Sequence, residues 1–490
     1  MRKSRQDSLE NNLYNSRIMK HNKKHEQDSV EIKSLSSIGS HKERKYDSIP
    51  FRIDFIKDLL GGKELQPMIN FDSTETENFT GSIHSKPYNC SDCSDCSKCS
   101  DESNCRCKKN RYNMSDSETY DTKYILNKKN YDFYSIINEI GGKLMYIKSG
   151  TSGHTFKGIV DVDENISINY AVKVVAYPKK VKYGPANDVR RPENAELMMI
   201  KLLGYFVVKK QSPHIVLPIA TFDTNIKPFT ELIDTKVVTE NNRKYLEFVE
   251  RYKKGEYFDN VSILISEWAN RGDLLDFIRK NYMQFTLLHW QVFFFQIISV
   301  LAVIQNKYPG FRHNDMKANN LLVHKVKPRG TSFSYTVNKQ KYIVPNIGYQ
   351  IKLWDFDFAC IPGIVENKKV DAKWTNNINV KPEQNRYYDI HYFFNTLIKK
   401  GFFPQFMTED CIPDEAKEFV NRIVPIKFRS GKYVTDSGRI LINTEFKTPD
   451  EILKNDIFFE KFRNNFYKKK SNKLKHENRN EIRNPYRKRS

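Results

Sequence analysis

The 490-residue sequence predicts an α+β fold of two unequal lobes, a small β-rich one followed by a larger helical one. Three observations carry that expectation. Apolar and polar residues alternate from Leu144 to Val175, around "SGTSGHTFKGIV" and "INYAVKVVAY", as half-buried strands do. Later in the chain helical patterns dominate, and "LHWQVFFFQIISVLAVIQNKY" is apolar on nearly every face, the mark of a central buried helix. The composition is also zoned. Residues 1–125 are rich in Ser, Asn, Asp and Lys with few apolar clusters, and a globular pattern replaces them afterwards.

The chain therefore divides into an N-terminal region (1–125) expected to be disordered, a folded part (126–466) and a basic tail (467–490). Within the folded part the small lobe covers about 126–268 and the large lobe about 269–466. Lys and Arg number 81 against 59 Asp and Glu, a net charge of +22. From Lys461 to Ser490 there are twelve Lys or Arg and two Glu, so the end of the chain supplies nearly half of that excess. Such a tail suits weak contact with anionic membranes or nucleic acid, although a solvated tail that aids solubility is the plainer reading.

No secretory leader is expected, since "MRKSRQDSLE" runs straight into polar sequence. No transmembrane segment is expected either. The longest apolar run, "WQVFFFQIISVLAVIQ", falls short of the roughly 18–20 residues that span a bilayer and is interrupted by Gln296. Six of the eight Cys lie in "CSDCSDCSKCSDESNCRC", 90–107. The C-x-x-C spacing is compatible with zinc, but the Ser, Asp and Lys spacers favour a tandem-repeat expansion.

The elements follow in order. Two strands joined by a Gly-containing turn, then a third, account for Leu144 to Val175. "PENAELMMIKLLGYF" opens with Pro and two Glu and shows helical spacing of Leu197, Ile200 and Leu203, with a stop signal at Gly204. "SILISEWA" is a short buried strand, after which Asp273 caps or begins the next helix. The apolar helix leads directly into "FRHNDMKANNLLV", 311–323. A basic hairpin insertion follows at about 325–347, then the strand "QIKLWDFDFA" and a second apolar helix, "YYDIHYFFNTLIKK".

The stretch 311–323 holds the chemistry. His313, Asp315, Lys317 and Asn320 read as H-x-D-x-K-x-x-N, and Asp355 follows on the next strand, in "DFD". Phosphoryl transfer from a nucleotide needs an Asp to orient and deprotonate the attacking hydroxyl and a Lys to neutralise the transferred group. It also needs an Asn and an Asp to hold a metal between the phosphates. Asp315, Lys317, Asn320 and Asp355 supply those types in that order. Apolar flanks would hold such a loop rigid where loose geometry costs rate.

With these residues in place, the chain resembles a protein kinase. More narrowly, "FRHNDMKANNLLV", "DFDFA" and "YYDIHYFFN" resemble the serine/threonine kinases packaged in poxvirus virions and their relatives in other large cytoplasmic DNA viruses. The abundance of Asn, Lys, Ile and Tyr is in keeping with an AT-rich giant-virus genome. The resemblance covers about 140–460 and implies a bilobal protein-kinase-like fold, ATP with Mg²⁺ or Mn²⁺, protein substrates bearing Ser or Thr, and a location in the virion and host cytoplasm. It implies further roles residue by residue. Lys173 in "YAVKVV" stands at the phosphate-binding Lys, with Ala171 beside it in the nucleotide site. Glu196 resembles its helical partner, with Glu193 as the substitute. Ile147 to Thr155 resembles the Gly-rich phosphate loop, with Gly150 and Gly153 retained and Lys148 at the first Gly position. Glu267 to Ala269 resembles the adenine-binding hinge, and Asp273 is within reach of the ribose. Asn320 and Asp355 take the metal. His313 is architectural, and Asp389 braces the catalytic loop.

Some features depart from the family pattern. Asn314 stands where an Arg usually precedes the catalytic Asp, which puts control by activation-loop phosphorylation in doubt. Asp357 replaces the Gly of D-F-G, and "KPE" at 381–383 is all that remains of A-P-E. Two rival readings stay open: a choline- or aminoglycoside-type small-molecule kinase, against which Lys317 argues, and a pseudokinase or scaffold, against which the full polar set argues.

Overall fold

The computed structural model describes residues 126, 130–140, 143–150, 153–163, 166–326 and 332–463. The expectations for 1–125, for the Cys-rich tract at 90–107 and for the tail at 467–490 lie outside these residues.

The alternating segments build one antiparallel sheet. Its strands are β1 (Lys143–Ser149), β2 (His154–Asp163), β3 (Ile166–Pro178), β4 (Pro218–Asn225) and β5 (Tyr257–Glu267), in the spatial order β1-β2-β3-β5-β4. Around the sheet lie the helices α1 (Phe133–Ile140), α2 (Pro192–Val208) and α3 (Arg243–Lys253), with a single helical turn at Lys227–Thr230. Phe133, Ile136, Phe156, Phe222, Phe229, Tyr245 and Phe248 form one core between the sheet, α1 and α3. α3 carries its apolar positions on one face and is N-capped by Asn242, whose side chain accepts from the Tyr245 N–H.

α2 does not end at Gly204, as the stop signal predicts, but continues to Val208. A Cβ at Gly204 would stand 3.3 Å from Pro218 Cδ. This glycine therefore serves close packing against β4 rather than helix termination, at a propensity cost of about 1 kcal/mol. β5, at 11 residues, is also longer than the stretch "SILISEWA" indicates.

After the sheet come α4 (Leu274–Asn281) and α5 (Leu287–Lys307), then β6 (Leu321–Lys325), the hairpin β7 (Ser332–Val337) and β8 (Gln340–Pro345), and β9 (Tyr349–Leu353). The chain continues through α6 (Tyr388–Leu397), α7 (Asp414–Ile423) and α8 (Pro449–Asn455). A second, larger core surrounds α5 and gathers Trp290, Phe294, Phe295, Phe394, Phe419 and Phe458.

α5 is 21 residues long, long and apolar enough by length and composition to cross a membrane, and so longer than the apolar run read from sequence. Its most apolar window is 83% buried inside the fold. Gln296, which interrupts that run, is used rather than tolerated. Its Nε2 donates to the Tyr349 carbonyl at 3.1 Å and its Oε1 accepts from the Ile351 N–H at 2.7 Å, so it ties the central helix to the edge of β9.

The hairpin β7–β8 turns through Asn338 and Lys339, both at positive φ, as a two-residue hairpin requires. It packs inward: Tyr335 stacks on His214 with the ring centroids 5.6 Å apart, and Tyr335 and Tyr342 both lie against Phe295. β6 and β9 form a separate two-stranded antiparallel ribbon. A bridge between Ile215 and Leu353 and the Val216 N–H to Leu353 carbonyl bond (3.1 Å) attach this ribbon to the segment entering β4. Both polar segments of the sequence, 311–320 before β6 and 354–357 after β9, are thereby delivered to one end of the ribbon.

Candidate active site

The segment 311–320 sits between α5 and β6 and is almost wholly buried, with Phe311, Arg312, His313, Asn314, Met316 and Ala318 closed to solvent. Arg312 pairs with Cys360 in a short antiparallel bridge, with N–H to carbonyl bonds of 3.1 and 3.0 Å, and side chains from elsewhere satisfy the backbone that follows. Asp389, in the first turn of α6, accepts the His313 N–H at 2.8 Å and the Asn314 N–H at 2.9 Å. The His313 Nε2 bonds the Trp354 carbonyl at 2.9 Å, linking this loop to the residue before Asp355. Arg312, fully buried, donates to the carbonyls of Asn379 (2.6 Å) and Glu383 (3.1 Å) and lies over the Tyr388 ring at 3.9 Å. Glu383, the acid of "KPE", is exposed and offers this loop only its main-chain carbonyl.

This bracing fixes three polar side chains. The Asp315 Oδ2 accepts from Asn320 Nδ2 at 2.8 Å and from Lys317 Nζ at 3.0 Å. Asn320 Nδ2 also donates to the Asp315 carbonyl at 2.9 Å. With its amide nitrogen committed twice to Asp315, Asn320 keeps its side-chain oxygen for another partner. Asp355 does not lie on the strand, as the sequence reading has it. β9 ends at Leu353, and Asp355 follows at φ +63°, a left-handed turn that swings its carboxylate off the ribbon.

β3 presents Lys173. Its Nζ lies 2.5 Å from Glu196 Oε1 and 3.3 Å from Asp355 Oδ1. Glu196, not Glu193, holds the lysine; Glu193 pairs with Arg191 at 3.0 Å. One ammonium thus serves two carboxylates. Burial pushes the Glu196 carboxyl up, to about 7, against the pull of Lys173. Burial also opposes the charge on Asp355, but Lys173 and His313 outweigh it and hold that carboxyl below its ordinary value. For Lys173, Glu196 and Asp355 together outweigh burial, and its ammonium is held more firmly than usual.

The remaining predicted residues are placed as follows. Gly150 and Gly153 close the turn between β1 and β2 through a Gly150 N–H to Gly153 carbonyl bond of 2.8 Å. A Cβ at Gly153 would meet the Val174 carbonyl at 2.4 Å, so only glycine fits against β3 there. Thr155 lies opposite Lys173 in the β2–β3 register, while Ile147 is 40% exposed on β1. Ala171 is buried on β3, opposite Ser266 of β5. The Glu267 side chain is turned inward: its Oε1 accepts the Leu217 N–H at 2.9 Å and pairs with the fully buried Lys352 at 3.2 Å. Ala269 is buried beyond it. Asp273 caps α4, its Oδ1 accepting the Asp276 N–H at 3.0 Å.

Asn320 and Asp355 offer an amide oxygen and a carboxylate, the donor types a hard divalent cation prefers. Among the described residues no group of three or more His, Cys, Asp or Glu is arranged to hold a metal ion. A metal here would therefore rely on these two oxygens and on phosphate.

The structure also gives partners to the residues that depart from the motifs, and brings in others that no motif marks. Lys369 pairs with Asp357, the residue that takes the Gly position of D-F-G, and its Nζ lies 3.9 Å from the centre of the Phe358 ring. Asn314, at φ +62°, donates to the Phe358 carbonyl at 3.1 Å. The largest omission is Arg439, whose guanidinium bonds Asp315 itself. It stands far along the chain in an irregular segment, where neither periodicity nor motif spacing marks it.

A model of the poxvirus serine/threonine protein kinase family matches residues 184–431. The match takes in Glu196, Glu267, the 311–320 loop and Asp355, and leaves out the β1–β2 turn, Lys173 and Arg439. A protein of Acanthamoeba polyphaga mimivirus, named as a serine/threonine-protein kinase, is 46% identical over 425 residues, 85% of this chain and 81% of its own length. Serine/threonine-protein kinase 2 of fowlpox virus is 27% identical over 270 residues, 53% of this chain and 54% of that protein. A second mimivirus kinase is 32% identical over 185 residues, 34% of this chain and 45% of its own. With the family model across half of its length and the first mimivirus relative matched over more than four-fifths of each chain, the chain belongs to the poxvirus serine/threonine protein kinase family.

Proposed function

We propose that this serine/threonine protein kinase transfers the γ-phosphoryl group of ATP through Asp315, Lys317, Asn320, Asp355 and Lys173, within a bilobal kinase-like domain of about 126–466. The observation that carries the reading is a pair of polar networks tied together where the His313 Nε2 bonds the Trp354 carbonyl, next to Asp355. Lys173 meets Glu196 and Asp355, while Asp315 meets Lys317 and Asn320. A protein that only bound partners would have no use for a lysine shared between two carboxylates beside a loop that holds a third in place.

In this reading Asp315 accepts the proton of a substrate Ser or Thr hydroxyl. The hydroxyl oxygen forms the new bond to phosphorus as the bridging oxygen of ADP leaves with its electron pair. Lys317, 3.0 Å from the same carboxylate, is placed to follow the phosphoryl oxygens as charge develops there. Lys173, held by Glu196, steadies the α- and β-phosphates. The turn at Gly150 and Gly153 covers them, the main chain of 267–269 meets the adenine, and Asp273 lies towards the ribose. Asn320 and Asp355 would hold Mg²⁺ or Mn²⁺, which neutralises phosphate charge when bound. Among nucleotide kinases, the Lys317–Asp315 pair favours a protein hydroxyl over choline or an aminoglycoside. The basic end of the chain adds weak, salt-sensitive attraction to anionic lipid or nucleic acid. The poxvirus family membership supports packaging in the virion and work in the host cytoplasm.

The test is transfer from labelled ATP by the full chain, comparing a basic protein substrate with choline, in wild type and Asp315→Asn. We expect incorporation into protein alone, lowered roughly 10²–10⁴-fold in the variant with its thermal unfolding unchanged. Activity in Asp315→Asn close to wild type would sink the assignment. EDTA should abolish transfer, and a chelator-resistant activity would remove Asn320 and Asp355 as metal ligands.

A further inference from the structure

Arg439 lies 124 residues beyond Asp315 in the chain, yet its side chain is almost completely buried against it. Its Nη2 donates to Asp315 Oδ1, and its Nη1 donates to the Asn314 carbonyl and, at 3.0 Å, to the Tyr388 hydroxyl. The guanidinium carbon stands 4.1 Å from the centre of the Tyr392 ring. One planar group therefore joins the carboxylate of residue 315 to the main chain of residue 314 while resting on α6, a geometry that suits a rigid fork and not a point charge.

The segment that carries Arg439 is itself built to aim it. Val434 and Ile440 form an antiparallel bridge, and Thr435 N–H to Arg439 carbonyl (2.9 Å) and Gly438 N–H to Thr435 carbonyl (2.8 Å) close the turn between them. Gly438 sits at φ +93°, and a Cβ there would press on Lys399 at 2.9 Å. Asn395 of α6 donates to the Gly438 carbonyl at 2.9 Å, and Asn379 donates to the Ile440 carbonyl at 2.9 Å. These side chains pin both flanks of Arg439 at the carbonyl groups.

An ionised carboxylate has about four lone-pair directions. On Asp315 three are taken: both on Oδ2, by Asn320 and Lys317, and one on Oδ1, by Arg439. The direction left open is on Oδ1. We infer that Arg439 is a positioning residue for the phosphoryl-transfer base: it fixes the plane of the Asp315 carboxylate and makes Oδ1 the oxygen that receives the substrate hydroxyl proton. Asn314 does not do this work, since its side chain turns away to the Phe358 carbonyl and Cys360 Sγ. The inference rests on Asp315 being the base.

The experiment measures kcat and KM for ATP and for a protein substrate in the full chain, with Arg439→Ala, Arg439→Lys and Asp315→Asn. Misplacing a base by about 1 Å costs on the order of a hundredfold. We therefore expect kcat of Arg439→Ala to fall roughly tenfold to hundredfold with KM for ATP within about twofold, a loss confined to the transfer step. Arg439→Lys keeps the charge but cannot bridge residues 314 and 315, and should fall nearly as far. Millimolar methylguanidinium should restore part of kcat to Arg439→Ala and none to Asp315→Asn. A purely structural role would not respond to it. If Arg439→Ala does not fold, Arg439→Lys decides. Wild-type kcat in that variant, kcat at or above wild type in Arg439→Ala, or absence of rescue overturns the inference. An active Asp315→Asn would instead overturn the identity of the base, which separates the two failures.

Discussion

The 311–320 loop and the β1–β2 turn are held in opposite ways. The proposed catalytic loop, 311–320, is buried and clamped by charge. Asp389 takes two of its N–H groups, Arg312 reaches two distant carbonyls, and Arg439 grips Asp315. The proposed phosphate loop between β1 and β2 is held at its base mainly by neutral contacts, with one long bond of 3.5 Å from the Lys244 ammonium to the Ser149 carbonyl. The Tyr146 hydroxyl meets Ser149 Oγ at 2.8 Å, Ser149 Oγ meets His154 Nδ1 at 2.7 Å, and Asn242 donates to Tyr146 at 2.8 Å. The His154 ring then rests 4.6 Å from Tyr245 and 4.5 Å from Phe248, between the loop and α3. Shifting the first loop strands buried charges and donors, each worth about 1–3 kcal/mol or more. Shifting the second loses bonds of about 1 kcal/mol apiece. Rigidity is concentrated at the loop proposed to take the proton, and the low-cost contacts lie at the turn proposed to cover the nucleotide.

That contrast can be broken by experiment, and the largest effect belongs to Asp389. Asp389→Ala leaves two buried N–H groups without an acceptor, and should lower stability by about 3–5 kcal/mol in urea unfolding, with transfer lost alongside. A change below about 1 kcal/mol would mean that the catalytic loop does not depend on its clamp.

Acid should act next, and through the other loop. Burial pushes the His154 imidazole down to about 4, against about 6.5 when unfolded. Between those values the unfolded chain binds a proton that the folded chain refuses. The stability is therefore full above pH 6.5 and is lost as pH falls towards 4. From pH 7 to pH 5 the loss from this group is about 2 kcal/mol. Burial also lowers His214, to about 3, and His391, to about 4, so the whole fold weakens in the same direction. The part due to His154 is isolated by His154→Gln, whose drop between pH 7 and pH 5 should be smaller than that of wild type. Equal drops would remove the phosphate loop from the account.

The smallest effect sharpens the comparison. Tyr146→Phe deletes one hydroxyl shared with Ser149 and Asn242. It should raise KM for ATP about two- to fivefold, leave kcat unchanged and alter stability by less than about 1 kcal/mol. A loss of kcat as large as that from Arg439→Ala would show that the phosphate loop needs the same precision as the base.

How much could be read without coordinates follows from the range of each interaction. Strand alternation in β1–β3, the buried character of α5 and the spacing of Asp315, Lys317 and Asn320 are local patterns, carried by neighbours in the chain. Element ends were less legible. Gly204 reads as a helix stop by propensity, but its packing on Pro218 lets α2 run on. Asp355 reads as part of a strand, yet its left-handed backbone follows from where β9 leaves the ribbon. α3 escaped notice because its charged face masks the few apolar positions that meet the sheet.

The sequence by itself determined which chemical groups this protein owns and the order in which they occur: an Asp, Lys and Asn within six residues, a Lys on a strand, and two Glu near the start of one helix. Only the tertiary structure decided which of them meet. It set Glu196 and not Glu193 on Lys173, let Asp355 share that lysine, and brought Arg439 to Asp315 from a turn with no motif of its own. The physical reason is that hydrogen bonds and ion pairs reach about 3 Å whatever the separation in sequence. Periodicity records only which face of an element is buried, and the partner of a buried charge is chosen when those faces pack.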